Sequence, residues 1–286
     1  MSRANYAARL YLLEVLKMKL QGKTALVTGA SRGIGKAIAY ELAKNGVKRL
    51  LILARNEQRL AAMAIDLQLL GVEVIPLVVD LTDRVQIDVA ISKAWRDYGQ
   101  IHLLVNCAGV AYQTPFLQSK LPQVQDEIAI NLIGMYAVTR LIARRMVSQR
   151  EGTIVNVASL MGKVAAPTMS TYSATKFAIL GFTQALRGEL ASHNVKVMSL
   201  LPTLTDTDMV RDMSRFRWMV PMSPERVAQA LVWGIDRDKP EIIIGWQSHL
   251  AVWGSYLVPR LVEWVIQLAS PLTDLKQSWR RIGVRG

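Results

Sequence analysis

Residues 24–35 read TALVTGASRGIG, and this stretch decides the fold class of the chain. Its first five residues are the β-branched and apolar run of a buried strand, and a helical pattern follows Gly35. Gly29, Gly33 and Gly35 lie in the turn between strand and helix, where glycine lets backbone N–H groups approach a pyrophosphate. The helix N-terminus adds a partial positive charge. The stretch therefore predicts a phosphate-binding turn at the start of an α/β domain.

Short apolar runs and helical patterns alternate from residue 23 onward. Helices are predicted at Gly35–Asn45, Glu57–Leu70 and Arg84–Tyr98. Continuous apolar strands separated by helices are typical of a parallel sheet covered on both faces. We therefore predict a single α/β domain, a Rossmann-type doubly wound parallel sheet of about seven strands with helices on both faces. The predicted strands are Thr24–Thr28, Arg49–Ala54, Glu73–Val79, Ile101–Asn106, Gly152–Val157, Val195–Leu201 and Glu241–Ile244.

Two terminal extensions flank the predicted domain. Residues 1–20 form an amphipathic N-terminal extension, whose apolar positions fall on one helical stripe opposite basic side chains. Residues 21–245 form the Rossmann-type domain. Residues 246–286 form an aromatic, basic C-terminal extension, in which Pro259 is expected to kink or break a helix. Packing on the domain, contact between subunits and contact with an anionic membrane remain open explanations of these extensions.

The composition excludes several classes of protein. With 286 residues, 51% hydrophobic and 20% charged, the chain is not intrinsically disordered and can bury a large core. Its net charge of +13 permits nucleic acid, an anionic membrane or a phosphorylated ligand as partner. Because no basic helix with interleaved aromatic residues is found, we expect no nucleic-acid partner.

Cysteine and histidine usage limits the site chemistry and the compartment. A single cysteine, Cys107, excludes an internal disulfide, and with three histidines no metal site is expected. The N-terminal apolar run is short and interrupted, unlike a signal peptide, and no uncharged stretch resembles a membrane-spanning helix. We therefore expect a cytoplasmic protein, with peripheral attachment to a membrane surface through the termini as the alternative.

The end of the second strand indicates which cofactor the domain binds. NAD sites usually place Asp or Glu there, where the carboxylate meets the ribose 2′-hydroxyl. Here the strand ends at Ala54, Arg55 follows, and the first acidic residue is Glu57. Arg55 and Arg32 are therefore placed to meet a 2′-phosphate, which the planar guanidinium binds well. The pattern favours NADP(H), against the alternative of two solvated arginines.

Three further side chains form a chemically consistent group. Tyr172 and Lys176 lie four residues apart on a predicted helix, so their side chains share one face. An ammonium on the adjacent turn stabilises a phenolate, so we expect Lys176 to lower the pKa of Tyr172 from about 10. Ser159 follows the predicted strand Gly152–Val157, at the carboxyl edge where open α/β sheets carry their sites. Its hydroxyl can hold the carbonyl oxygen of a substrate.

In their order and spacing, the motifs of this chain resemble those of the short-chain dehydrogenase/reductase family over about residues 20–245. They are TGASRGIG at 28–35, DLT at 80–82, NCAG at 106–109, Asn131, Ser159, YSATK at 172–176 and the segment from Pro202 to Thr207. One position departs from the family pattern. Thr203 follows Pro202 where the family usually has glycine, and its Cβ is expected to shift the backbone beside the nicotinamide.

The resemblance implies a substrate lid at about residues 205–220 and a role for each matched residue. Tyr172 is expected to be the general acid in carbonyl reduction and the base in alcohol oxidation. Lys176 would lower its pKa and hold the nicotinamide ribose, Ser159 would orient the substrate oxygen, and Asn131 would anchor a water in a proton relay. Cofactor contacts are expected at Gly29, Ser31, Arg32, Gly33, Ile34, Gly35, Arg55, Asp80, Leu81, Asn106, Ala108, Gly109, Tyr172, Lys176, Pro202, Thr205 and Thr207.

The aromatic C-terminal extension looks like that of family members that act on lipophilic ketones and alcohols. We therefore expect an NADP(H)-dependent oxidoreductase that transfers hydride between the nicotinamide and a carbonyl or secondary alcohol of a small apolar substrate. A 3-oxoacyl-[acyl-carrier-protein or CoA] reductase of fatty-acid synthesis is the alternative, and a catalytically inactive NADP-binding sensor is a third reading. The family also implies a homo-oligomer, either a dimer or a tetramer.

Overall fold

The computed structural model describes residues 19–271. The predicted N-terminal helix therefore lies outside the described residues except for Lys19 and Leu20, and so does the end of the C-terminal extension. Leu20 is buried in the core, and Lys19 Nζ lies 2.9 Å from Asp238 Oδ2. The start of the described chain is thus tied to the domain.

All seven predicted strands are present and form one parallel sheet, which confirms the predicted fold class. The sheet order is β3-β2-β1-β4-β5-β6-β7. Strands β3, β4 and β7 are one or two residues shorter than predicted, which is the usual uncertainty at element ends. The strands are β1 (Thr24–Thr28), β2 (Arg49–Ala54), β3 (Glu73–Val78), β4 (Leu103–Asn106), β5 (Gly152–Val157), β6 (Val195–Leu201) and β7 (Glu241–Ile243).

Helices cover both faces of the sheet. They are α1 (Gly33–Lys44), α2 (Glu57–Gln68), α3 (Arg84–Tyr98), α4 (Leu121–Ile128), α5 (Met135–Gln149), α6 (Ser170–Leu190), α7 (Pro224–Asp236), α8 (Trp246–Leu257) and α9 (Pro259–Ala269). Apolar residues of α1, α2 and α7 share one core cluster, and those of α3 and α5 share another. In β1 the side chains of Ala25 and Val27 enter the first cluster, whereas Leu26 enters the second. This alternation explains why the strand is apolar at every position.

The order of the strands fixes where a ligand can bind. Strand β1 pairs with both β2 and β4, so the chain reverses its winding direction between β1 and β4. The carboxyl ends of these two strands, Thr28 and Asn106, are paired in register. Open α/β sheets bind ligands in the crevice outside such a switch point. The glycine-rich turn after β1 and the segment after β4 both lie at this crevice.

The C-terminal extension folds as two helices that pack against each other. Val258 separates α8 from α9, and Pro259 occupies the first turn of α9, where a missing N–H leaves no hydrogen bond unmade. The break predicted at this proline is therefore present. No helix within residues 19–271 is long and apolar enough to cross a bilayer.

Candidate active site

The turn after β1 requires glycine for reasons visible in its geometry. Gly29 has a φ of 68°, and a Cβ on it would lie 2.6 Å from the Cα of Ala108. A Cβ on Gly35 would overlap the carbonyl oxygen of Gly29. The turn is thus closed against the segment after β4 on one side and against α1 on the other. Thr28 completes this junction, since its Oγ1 accepts hydrogen bonds from the backbone N–H groups of Cys107 and Ala108, each at 3.1 Å.

The N-terminus of α1 has the properties of an anion site. Its N-cap residue, Arg32, makes no side-chain capping hydrogen bond, and the first turn of the helix contains no acidic residue. The free N–H groups and the helix dipole of such an end favour a negatively charged ligand. Ser31 and Ile34 lie in the same turn, where Ile34 packs on the core and leaves the backbone to face the crevice. These features fit the pyrophosphate of a dinucleotide.

Three arginines surround the end of β2 and pair with two carboxylates. Arg55 Nη1 lies 3.6 Å from Asp80 Oδ2, while Arg32 and Arg59 lie 3.9 and 3.6 Å from Asp208 Oδ2. Burial alone would raise the pKa of Asp80, but hydrogen bonds from Thr82 and the Arg55 guanidinium outweigh it and lower that pKa. The structure therefore brings a cluster of cations to the point where a 2′-phosphate is expected. Sequence reasoning missed Arg59, although it lies one turn after Arg55.

The segment after β4 forms the wall of the crevice. The side chain of Asn106 is turned away from this crevice, with Nδ2 donating to Thr139 Oγ1 and to Asn156 Oδ1, both at 2.8 Å. Only the backbone of Asn106 is therefore available for the cofactor contact expected in this cleft. Leu81 is buried against Gly134. A Cβ on that glycine would lie 2.8 Å from the Leu81 Cβ, which is too close for two side chains.

Asn131 holds the segment after β4 in place. It lies in a π-helical turn, Ala129–Gly134, that joins α4 to α5. Its Oδ1 accepts from the backbone N–H of Val110 at 2.8 Å, and its Nδ2 donates to the Val110 carbonyl at 2.9 Å. A Cβ on Gly109 would lie 3.2 Å from Asn131 Oδ1 and 3.7 Å from Lys176 Nζ. Gly109 therefore lets Asn131 and Lys176 approach the same point of the backbone.

Lys176 is a buried lysine, only 4% exposed. Its Nζ donates to the carbonyl oxygen of Val157, the last residue of β5, at 3.0 Å. The Nζ also lies 5.4 Å from the centroid of the Tyr172 ring, over its face. Burial lowers the pKa of Lys176 to about 8, partly opposed by Cys107 and Glu127. An ammonium held this way releases its proton more readily than a solvated lysine.

The pKa of Tyr172 differs from the sequence-based expectation. Loss of hydration in the cleft raises the pKa of its phenol to about 12, although a hydrogen bond with Ser159 lowers it and Glu127 raises it further. The Nζ of Lys176 lies over the ring and donates to Val157, and this placement does not offset the loss of hydration. In this state Tyr172 is a neutral proton donor. Ser159 Oγ also accepts from the backbone N–H of Met161 at 3.1 Å, which fixes its orientation.

The segment after β6 closes the site. The carbonyl of Pro202 accepts a hydrogen bond from the backbone N–H of Leu160 at 2.9 Å, beside Ser159. Thr207 is the nearest neighbour of Gly33, since a Cβ on that glycine would lie 3.1 Å from Thr207 Cγ2. The side chain of Thr205, in contrast, is buried and donates to the carbonyl of Thr203 at 3.0 Å. Thr205 can therefore contribute only its backbone to the cleft.

An apolar cluster adjoins Tyr172. Its buried members are Ala166, Met169 and Phe216, and Tyr172 packs against them. The partly buried members are Ala111, Met161, Met213, Met219 and Ile266. The cluster joins the predicted lid to α9, and the backbone N–H of Arg217 donates to the carbonyl of Ala269 at 2.7 Å. The site thus has polar chemistry on one side of Tyr172 and an apolar wall on the other.

Glu127 is a buried carboxyl that sequence reasoning missed. It is 1% exposed and lies one helical turn before Asn131. Its Oε1 accepts from the backbone N–H of Tyr112 at 2.7 Å. The four-residue spacing from Asn131 was the available signal, because both side chains must then face the segment after β4.

Between residues 19 and 271 no group of three or more His, Cys, Asp or Glu side chains could hold a metal ion. Burial also raises the pKa of the Cys107 thiol to about 12, which makes it a poor ligand or nucleophile.

Substitution of Gly35 tests the phosphate-binding turn. We expect Gly35→Ala to weaken NADPH binding about tenfold or more, because the added Cβ displaces the Gly29 carbonyl from the turn. Fluorescence titration with NADPH measures this change. Gly188→Ala, in α6 with no atom within 4 Å of the added Cβ, is the matched control and should bind normally. Equal affinity of the two variants would contradict the geometry described for the turn.

Comparison with known proteins agrees with these features. The family model for short chain dehydrogenase matches residues 23–218. The chain is 34% identical over 227 residues to the 3-oxoacyl-[acyl-carrier-protein] reductase FabG of Aquifex aeolicus, covering 76% of this chain and 91% of that one. It is 31% identical to estradiol 17-beta-dehydrogenase 11 of Rattus norvegicus, covering 82% of this chain and 78% of the relative.

A solved structure extends this likeness to three dimensions. A short chain dehydrogenase from Burkholderia cenocepacia, in complex with NADP, superposes with a TM-score of 0.76 at 28% identity. The match covers 88% of this chain and 99% of that one. By its matched residues, its parallel sheet and its site, the chain belongs to the short-chain dehydrogenase family.

Proposed function

We propose that this oxidoreductase uses NADP(H) to interconvert a carbonyl and a secondary alcohol on a small apolar substrate. The observation that carries the proposal is the position of Tyr172. Its phenol contacts Ser159 and its ring lies near the Lys176 ammonium, while the same ring packs on the apolar cluster around Phe216. A reacting carbonyl can therefore reach a proton donor while its apolar remainder stays out of water.

The residues of the chain supply positioning and a proton. NADPH, when bound, supplies the hydride for the carbonyl carbon. Ser159, oriented by its hydrogen bond from the Met161 N–H, holds the carbonyl oxygen near Tyr172. Tyr172 donates its phenolic proton to that oxygen, and the reverse transfer serves alcohol oxidation. The nearby positive charge of Lys176 stabilises the tyrosinate that forms.

We propose the cofactor contacts expected from the sequence, with two refinements. Gly29, Gly33, Gly35 and the N-terminus of α1 would hold the pyrophosphate. Asn106 and Thr205 would act through their backbones, since both side chains are engaged inside the protein. The remaining proposed contacts are Ser31, Arg32, Ile34, Arg55, Asp80, Leu81, Ala108, Gly109, Tyr172, Lys176, Pro202 and Thr207.

A 3-oxoacyl thioester reductase is the second candidate function. The likeness to the Aquifex aeolicus reductase favours it, and an acidic carrier protein would suit a chain with a net charge of +13. The apolar wall around Phe216 and its junction with the exposed helix α9 favour the lipophilic ketone instead. A direct comparison of the two substrate classes separates the candidates.

Tyr172→Phe tests the proposed chemistry. Wild-type protein should oxidise NADPH with at least one member of a panel of steroid, retinoid and long-chain ketones and 3-oxoacyl thioesters. The variant should lose turnover by about 10²-fold or more, because the phenolic proton is gone, and should bind NADPH normally. Stopped-flow absorbance and NADPH titration measure the two quantities. Unchanged turnover in Tyr172→Phe would sink the mechanism, and preference for the thioesters would select the second candidate.

Arg55→Ala tests the choice of cofactor. We expect the dissociation constant for NADPH to rise about tenfold, since a charge-assisted contact with the 2′-phosphate is removed, while that for NADH changes little. Arg84→Ala, an exposed arginine paired only within α3 to Asp88, is the control and should change neither constant. An equal loss for both dinucleotides, or tighter NADH binding by the wild type, would refute the role of Arg55.

We further propose that α8 and α9 attach the protein to an anionic membrane surface. Large apolar side chains of the two helices remain in contact with solvent, at exposures up to 75% for Leu257. Trp246, Trp253, Tyr256 and Trp264 are among them, and amphipathic aromatics of this kind favour the membrane interface. Five arginines and lysines against two acidic residues in 246–286 add electrostatic attraction. An apolar substrate would then enter past the lid directly from the bilayer.

Flotation with liposomes tests this attachment. We expect the triple variant Trp253→Ser/Leu257→Ser/Leu261→Ser to lose most of its binding to phosphatidylserine-containing vesicles. The variant lacks the apolar side chains that would enter the membrane surface. The control variant Leu69→Ser/Val85→Ser/Val89→Ser removes three similarly exposed apolar side chains, one from the turn after α2 and two from α3, and should float like the wild type. Light scattering measures the molar mass of both variants and so reports whether the expected dimer or tetramer is retained. If the C-terminal variant floats normally but has a different mass, α8 and α9 form a subunit interface and not a membrane contact.

A further inference from the structure

Asp208 lies in the predicted lid and pairs with arginines that surround the end of β2. It begins a short 3₁₀ turn, Asp208–Val210. Its Oδ2 lies 3.6 Å from Arg59 Nη1 and 3.9 Å from Arg32 Nη1. Arg59 is in the first turn of α2, and Arg32 is the N-cap of α1. One carboxylate of the lid therefore contacts both helices that begin beside the expected 2′-phosphate site.

A third arginine pairs with Asp208 from within the lid. Arg211 Nη2 donates to Asp208 Oδ1 at 2.7 Å, which is closer than the contacts with Arg32 and Arg59. The two oxygens of the carboxylate thus have different partners, Oδ1 within the lid and Oδ2 on the domain. Asp208 can leave the domain and still keep a charge-assisted hydrogen bond, so its release does not leave an unpaired charge.

The part of the lid that carries Asp208 lies over a cavity and is not packed closely onto α1. The cavity has a volume of about 540 Å³ and is lined by Gly33, Lys36 and Tyr40 of α1 and by Thr207 and Asp208 of the lid, among other residues. Residues 207–213 are all half-buried or exposed. The position of such a segment depends more on polar contacts, like those of Asp208, than on burial of apolar side chains.

Backbone hydrogen bonds fix both ends of this segment. Before it, the backbone N–H of Asp206 donates to the carbonyl of Met222 at 2.9 Å. After it, the side chain of Gln113 accepts from the backbone N–H of Ser214 at 2.7 Å and donates to the Ser214 carbonyl at 3.0 Å. A change in the contacts of Asp208 should therefore alter residues 207–213 and leave the rest of the lid in place.

The charges around the end of β2 explain why a phosphate would compete with Asp208. Arg32, Arg55 and Arg59 pair there with two carboxylates, Asp80 and Asp208. A phosphate monoester adds a charge of about −2 near pH 7. The three guanidinium groups then balance the phosphate and Asp80, and no positive charge of the domain is left for Asp208. The phosphate also offers three oxygens as acceptors of charge-assisted hydrogen bonds, which favours it over a single carboxylate oxygen.

We propose that Asp208 competes with the 2′-phosphate of NADP(H) for Arg32 and Arg59, so that the phosphorylated cofactor displaces this carboxylate and frees residues 207–213 of the lid. NAD(H) lacks the phosphate and leaves this segment held to the domain. The inference rests on the proposed 2′-phosphate site at Arg32 and Arg55. It adds Arg59 to that site and makes Asp208 the residue through which the lid responds to the kind of dinucleotide bound.

The release of Asp208 affects both ends of the segment. Thr207, its immediate neighbour, lies beside the phosphate-binding turn, where a Cβ on Gly33 would be 3.1 Å from Thr207 Cγ2. Met213, at the other end, belongs to the apolar cluster that packs against Tyr172. The lid can thus adjust next to the cofactor and next to the apolar substrate once the 2′-phosphate has taken the arginines.

Asp208→Asn tests the competition, because Asn keeps the size of the side chain and removes its charge. The probes are 2′,5′-ADP and 5′-AMP, which differ only in the 2′-phosphate. By isothermal titration calorimetry, we expect the variant to bind 2′,5′-ADP about three- to tenfold more tightly than the wild type, since the phosphate no longer displaces two exposed ion pairs. The affinity for 5′-AMP should stay the same.

Asp212→Asn is the matched control for this variant. Asp212 lies in the same segment of the lid, is exposed and makes no ion pair within residues 19–271. Both substitutions raise the net charge by one, so a general effect of charge on anion binding would appear in both. An equal gain in affinity for 2′,5′-ADP in Asp208→Asn and Asp212→Asn would therefore overturn the proposal.

Arg211→Ala tests the same exchange with the opposite sign. Without Arg211 the displaced carboxylate loses its remaining partner, so 2′,5′-ADP should bind about threefold more weakly while 5′-AMP binds as before. Arg215→Ala removes the same charge from an exposed position of the lid and is the control. A substitution that merely disrupted the lid would shift the affinity in the same direction in Asp208→Asn and Arg211→Ala, and that result would contradict the competition.

Hydrogen exchange, followed by mass spectrometry, reports on the lid itself and needs no substrate. In the wild type, 2′,5′-ADP should speed the exchange of the backbone amides of residues 207–213 about threefold or more, whereas 5′-AMP should not. Asp208→Asn should show the faster exchange without any nucleotide. Slower exchange of these amides in the wild type with 2′,5′-ADP would mean that the phosphate tightens the lid, and the proposal would be wrong.

The two nucleotides also separate this inference from the function on which it rests. If the wild type binds 2′,5′-ADP more tightly than 5′-AMP but Asp208→Asn gains no affinity, the 2′-phosphate site stands and the competition by Asp208 is refuted. If the wild type binds the two nucleotides equally, the proposed 2′-phosphate site is itself wrong, and the competition fails with it.

Discussion

The buried ammonium of Lys176 is the constraint on which the arrangement of the site depends. A charged amine that is 4% exposed must replace its lost water with protein dipoles or give up its proton. The carbonyl of Val157 supplies one such dipole at 3.0 Å, and the Glu127 carboxyl stabilises the same charge. The pKa of Lys176, lowered to about 8, shows that this compensation is incomplete. The cation is therefore held in a state from which a proton leaves easily.

Each neighbouring element contributes to this position in a way that follows from the fold. The parallel sheet brings the carboxyl ends of β1, β4 and β5 to one edge, so that Thr28, Asn106 and Val157 end at the same crevice. Gly109 has no side chain and lets Lys176 Nζ and Asn131 Oδ1 approach the segment after β4. The polar part of the site thus lies at the carboxyl edge of the sheet, whereas the apolar wall around Tyr172 includes residues of the lid and of α9.

Local sequence patterns predicted the sheet and most of the site, because glycine positions and the periodicity of apolar residues can be recognised within short stretches of sequence. The strands, the turn at Gly29–Gly35 and the grouping of Ser159, Tyr172 and Lys176 belong to this class. Long-range features could not be predicted in the same way. The pairing of Asp208 with Arg32 and Arg59 and the π-helical turn around Asn131 both depend on how distant segments pack. The raised pKa of Tyr172 has the same origin, since its largest cause is burial, which depends on how distant segments pack around the phenol.

Isotope labelling follows the hydride from the cofactor to the product. With NADPH deuterated at the transferring position of the nicotinamide and a ketone from the panel, mass spectrometry of the product locates the label. We predict one deuterium on the carbinol carbon and a hydroxyl proton derived from solvent, with the rate of labelled product formation lowered about 10²-fold or more in Tyr172→Phe. Product that lacks deuterium on that carbon, or labelled product formed at the wild-type rate by the variant, would contradict the proposed mechanism.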